Sequence, residues 1–173
     1  GTVGADVKAE AAWDVTLGST SISIAVADTG IDWHHEDIEV MVNGMAKVHS
    51  PRDVVHADDD PAPGPNDANI DHGTSAAGVA TAAGNNTLGG TGIAPNCRLV
   101  PIQLYAESTF TPNATEAAAF TWAADHADVM SNSWGPDNAF TPLPDATRTA
   151  IDYATTSGRG GKGTIVLFAA GNS

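Results

Sequence analysis

The chain has 173 residues and a mass of 17.6 kDa, with 42% hydrophobic residues, one cysteine and a formal net charge of −14. That length is about one domain's worth, and that apolar fraction excludes a disordered tail. The single cysteine, Cys97, excludes an internal disulfide framework and a Cys-rich zinc module. The excess of Asp and Glu over Lys and Arg excludes nucleic acid and anionic membrane as partners, because both demand a basic face.

In chain order, the first residues read as a surface arm leading to Trp13 on a short helix. No basic and then apolar leader opens the chain, so a signal peptide is expected to be absent or already removed. Ser21–Asp28 is a β-branched run that stops at Thr29-Gly30, the pattern of a buried strand. Residues Asp53–Asn69 carry three consecutive aspartates and three prolines and predict a surface loop. Gly73–Ala83 predicts a helix of small residues suited to close packing on a sheet. Arg98–Tyr105 predicts a second strand. Asn113–His126 predicts a helix that opens on a capping box from Asn113 to Glu116. Ala127–Trp134 predicts a third strand, Asp145–Ser157 a helix stopped by Gly158, and Thr164–Ala170 a fourth strand. Strands separated by helices imply parallel pairing with right-handed crossovers, hence an α/β domain with a doubly wound, mainly parallel sheet. No apolar run approaches the ~18 residues of a membrane span.

In such sheets the working residues gather at the carboxyl ends of the strands. The first strand ends in Asp28, the third leads to Ser133-Trp134-Gly135-Pro136, and the fourth leads through Ala169-Ala170-Gly171 to Asn172. His72 stands at the front of the small-residue helix. A carboxylate can orient an imidazole by accepting its ring N–H. The imidazole can then act as general base toward a hydroxyl, and an Asn amide can stabilise an oxyanion. Asp28, His72 and Asn172 are thus three of the four parts of an acyl-transfer site, and the nucleophile is the fourth.

These residues resemble the subtilisin-like serine proteases. Val26-Ala27-Asp28-Thr29-Gly30-Ile31 resembles their aspartate motif, Asp71-His72-Gly73-Thr74-Ser75-Ala76-Ala77-Gly78 their histidine motif, and Ala169-Ala170-Gly171-Asn172 their oxyanion motif. The order Asp then His is also theirs. Ser133-Trp134-Gly135-Pro136 and the glycine-rich Gly158–Gly163 resemble the kexin/furin-like branch. There the former segment pairs its backbone with an extended peptide, which makes Ser133, Trp134, Gly135 and Pro136 the substrate-binding candidates. Where the furin-like pattern carries acids that read paired basic residues, this chain has Thr29, Asn69 and Asn138, which argues against strict dibasic specificity.

The resemblance implies a serine endopeptidase with a peptide or protein substrate, secreted, of which residues 1–173 form the N-terminal portion of one peptidase domain. The family's nucleophile lies on a helix beyond the oxyanion asparagine. Ser75 belongs to the histidine motif, one turn along the helix from His72, and Ser173 adjoins Asn172. Neither fits the nucleophile's place, so the chain alone is expected to be inactive. The rest of the domain, or a propeptide, is an expected partner. The resemblance also implies a structural calcium ion, held by Asp37, the side chain of Asn86 and the carbonyls of Ala83, Leu88 and Gly90, a set of oxygens of the kind calcium takes.

Two alternatives stay open on the sequence. One is a non-catalytic protein of the same fold that binds peptides. The other is a metal-dependent hydrolase built on His34, His35 and His72.

Overall fold

The computed structural model describes residues 4–67, 69–106, 111–136 and 141–171. A short helix α1 (Ala9–Trp13) leads into the central strand β1 (Ser23–Asp28). A small hairpin follows, β2 (Met41–Val42) and β3 (Met45–Ala46), and then a two-residue strand β4 (Arg52–Asp53). Helix α2 (His72–Thr81), strand β5 (Arg98–Gln103), helix α3 (Asn113–His126), strand β6 (Val129–Asn132), helix α4 (Asp145–Gly161) and strand β7 (Ile165–Phe168) complete the chain. The main sheet has the order β4-β5-β1-β6-β7 and every pairing in it is parallel. The expected α/β, parallel-sheet architecture is therefore the observed one.

The two-residue period of the strands divides the core. Ala25 and Ala27 of β1, with Val100 and Ile102 of β5, face one side, where Phe120, Ala119 and Ala123 of α3 and Ala150 of α4 cover them. Val26 and Leu99 face the other side and meet Ile31, Ile38 and Ala77 of α2. The connection after β1 runs toward β5, whereas the connection after β6 runs to β7 on the opposite side. The topological switch point therefore falls between the ends of β1 and β6, the place where open α/β sheets hold ligands.

Several expectations are corrected. The strands are shorter than the apolar runs at one or both ends, because flanking residues pass into loops once their neighbours diverge. The hairpin was not anticipated, although Asn43-Gly44 is a strong two-residue turn signal and both residues have positive φ. The expected 53–69 loop begins one residue later, because Asp53 closes the two-residue strand β4. The capping box does not form. Pro112 holds the N-cap position of α3 without a side-chain bond, Asn113 is already helical, and Glu116 is partly buried, which raises its carboxyl pKa. The predicted stop of α4 holds: helical geometry breaks at Gly158, and Arg159 and Gly160 take positive φ.

Candidate active site

Asp28 is the last residue of β1 and is 1% exposed. His72 is the first residue of α2, and its side chain is half exposed. Across 44 residues of sequence, His72 Nδ1 meets Asp28 Oδ1 at 2.6 Å. The same oxygen accepts the Thr29 N–H at 2.8 Å, and the buried Oδ2 has no protein partner among the described residues. The surroundings are of low polarity: burial raises the pKa of the nearby Tyr105 hydroxyl, with Glu116 and Asp28 adding to the effect.

The approach depends on glycine at position 73. A Cβ there would stand 2.1 Å from Gly30 O and 3.0 Å from Asp28 Cβ. The helix start is therefore pressed onto the 28–30 turn, and Thr74 Oγ1 also accepts the Asp32 N–H at 2.9 Å. An imidazole held in this way keeps Nδ1 for the carboxylate and turns its other nitrogen outward. That is the arrangement a general base requires. No hydroxyl of the described residues is hydrogen-bonded to the ring.

The segment after β6 reaches the same end of the sheet. Ser133 and Trp134 are half-buried, and Gly135 and Pro136 are exposed. The Trp134 ring is turned into the protein, edge-on to Tyr105, Phe120 and Phe168. Its indole N–H donates to the carbonyl of Ala27 at 2.8 Å, one residue before Asp28. The indole is thus engaged within the protein, while Gly135 and Pro136 face solvent. Asn172, Ser173 and Asn138 lie outside the described residues.

The expected metal ligands are brought together in part. Asp37 is 3% exposed and makes no ion pair with the described residues. The loop after α2 wraps it, with positive φ at Asn85, Thr87 and Gly89. Asp37 Oδ1 accepts from Asn86 Nδ2 at 2.6 Å, and Oδ2 accepts from Gly90 N at 3.1 Å. Ala83 N donates to Asp37 O, and Leu88 N donates to Asn86 Oδ1. A buried carboxylate in no ion pair among the described residues, in a loop rich in amide and carbonyl groups, suits a hard cation in its donor chemistry, although N–H groups, not carbonyls, face it here. Beside it Lys47 is fully buried. Its Nζ donates to Pro95 O and Cys97 O, and burial lowers its pKa to about 8 against the pull of Cys97 and Asp37.

His34 and His35 do not join His72. His34 Nδ1 pairs with Glu39 and His35 Nδ1 accepts the Asp37 N–H. No group of three or more metal-ligating His, Cys, Asp or Glu side chains occurs among the described residues. The sequence reading missed a second aspartate–imidazole pair at the same end of the sheet. Buried Asp53, at the end of β4, meets the exposed His56 Nδ1 at 2.6 Å and raises its pKa. A spacing of three residues in a polar loop gives no signal that could have revealed it.

Known proteins share this sequence pattern and this fold. The sequence profile of the subtilase family matches residues 19–173. A calcium-dependent protease of Trichormus variabilis is 41% identical over 99% of this chain, and the match spans 26% of that protein. Human neuroendocrine convertase 2 is 32% identical over 99% of this chain and 27% of its own length. A solved protease of Pseudoalteromonas arctica superposes with a TM-score of 0.73 at 25% identity, over 93% of this chain and 52% of that one. The chain thus spans about a quarter of the curated relatives and about half of the solved one. With the profile matched along nearly all of its length, it belongs to the subtilase family.

Proposed function

We propose that this chain contributes the aspartate, the histidine and the oxyanion asparagine of a secreted serine endopeptidase, and that the nucleophilic serine lies outside residues 1–173. Asp28 accepts the Nδ1 proton of His72 and stabilises the imidazolium as it forms. His72 takes the proton of the serine hydroxyl as that oxygen attacks the peptide carbonyl, then returns it to the leaving amine. Asn172 donates to the oxyanion, and water hydrolyses the acyl-enzyme by the same steps in reverse. An extended peptide lies along Ser133-Trp134-Gly135-Pro136 by strand addition. The observation that carries this reading is the 2.6 Å bond between a buried aspartate and a half-exposed imidazole at one end of a parallel sheet.

Calcium is proposed as a structural ion held by Asp37, Asn86 and the carbonyls of Ala83, Leu88 and Gly90. Bound there, it supplies charge compensation and loop rigidity rather than chemistry. The names of the relatives support protease activity and, for one, calcium dependence. The remainder of the peptidase domain or a propeptide is the proposed protein partner. By itself, residues 1–173 is inert in hydrolysis.

The test is fluorophosphonate labelling read by intact mass and peptide mapping. The expected label falls on a serine outside residues 1–173 and disappears in His72→Ala. Label on Ser75 or Ser173, or label that survives His72→Ala, overturns the assignment.

A further inference from the structure

Thr29 lies between the two members of the pair and touches both sides. Its N–H donates to Asp28 Oδ1, the oxygen that also takes His72 Nδ1. Its hydroxyl donates to Asn69 O at 2.9 Å and accepts from Gly73 N at 3.2 Å. Asn69 O also accepts the backbone N–H of His72 at 2.9 Å. One side chain of a residue 7% exposed therefore closes onto the loop entering α2 and onto the first turn of that helix.

The first amides of a helix have no acceptor within it. The residue before α2, Asp71, makes no side-chain cap. Thr29 supplies the missing acceptor from another element, the end of the strand that carries Asp28. The absence of a side chain at Gly73 is what lets the two backbones come this close. The helix that begins with His72 is thus capped by the residue next to its carboxylate partner, and the cap and the pair share one geometry.

We infer that Thr29 is the positioning residue of the pair, its hydroxyl fixing the imidazole against the carboxylate by capping α2 from β1. This rests on Asp28 and His72 acting together as an acid–base pair, but not on turnover. Valine has nearly the same shape and no hydroxyl, so it leaves Gly73 N without an acceptor. Serine keeps the hydroxyl and loses only a methyl group.

The experiment records the Nδ1–H proton of His72 by NMR, together with amide hydrogen exchange at Gly73. It compares the protein with Thr29→Val and Thr29→Ser. A proton held between imidazole and carboxylate at this separation resonates far downfield. The expected result is a protected Gly73 amide in the unsubstituted protein. Thr29→Val should lose the downfield signal and the protection, and Thr29→Ser should keep both. An unchanged signal in folded Thr29→Val overturns the inference, and so does its loss in Thr29→Ser. Should Thr29→Val not fold, the Gly73 amide of the unsubstituted protein decides: slow exchange supports the cap and unprotected exchange overturns it. Failure of the endopeptidase reading would look different, as absent peptide hydrolysis with the His72 signal intact.

Discussion

His72 Nδ1 and Asp28 Oδ1 stand 2.6 Å apart, yet the two side chains meet solvent unequally, at 50% exposure for the imidazole and 1% for the carboxylate. The buried partner can orient the ring while the ring itself faces solvent. Replacing Asp28 by Asn keeps the shape and removes the charge. On the endopeptidase proposal, kcat should fall about 10⁴-fold with the fold intact. Steady-state kinetics beside circular dichroism checks both halves of that statement.

Gly73→Ala places a methyl group against the backbone of Gly30, which has no flexible end to move aside. Overpacking of this kind costs about 1–3 kcal/mol. The expected outcome is a lowered Tm and a weakened Asp28–His72 bond. A Tm equal to that of the parent would show that the 28–30 turn yields freely.

Trp134→Phe retains an aromatic ring among Tyr105, Phe120 and Phe168 and deletes the donor to Ala27 O. A buried carbonyl left without its partner costs about 1–3 kcal/mol. Urea unfolding should show a lower midpoint at unchanged m-value. Because the indole ties the segment after β6 to the residue before Asp28, the endopeptidase proposal also predicts a higher KM for peptides.

Calcium should raise the Tm and chelator should lower it. A ligand at 100 times its Kd adds about 2.7 kcal/mol to the folded state. Asp37→Asn removes the only carboxylate of the proposed set and should abolish the calcium-dependent shift. A shift that persists in Asp37→Asn places the ion elsewhere.

His49 gives the pH prediction. Its Nε2 lies 2.7 Å from Ser23 Oγ. Burial, reinforced by Arg98 and His126, lowers its pKa from 6.5 to about 4, against Asp128. The folded state therefore binds this proton more weakly than the unfolded state. The stabilisation is complete above pH 6.5 and is lost as pH falls toward 4. His56 runs the other way: Asp53 raises its pKa, so its small contribution is present at low pH and lost as pH rises through the folded value. Thermal unfolding from pH 7 to 4 should show a falling Tm whose slope is reduced in His49→Gln.

The sequence by itself determined the layout. Apolar runs at a period of two, spaced by helices, specified a parallel sheet, and punctuation such as Gly158 marked ends correctly to within a residue. Local motifs also placed Asp28 at a strand end and His72 at a helix start. What only the tertiary structure decided was contact across long separations. Nothing in the sequence near Thr29 says that its hydroxyl caps a helix beginning 43 residues later. Nor does the polar stretch after β4 reveal that Asp53 is buried against His56. The direction of the Trp134 ring and the full burial of Lys47 were equally hidden. Hydrophobic periodicity reports which face of an element is dry. It does not report which polar atom of one element meets which of another, because those bonds are set by how closely two backbones pack. Here the missing side chain at Gly73 sets that distance.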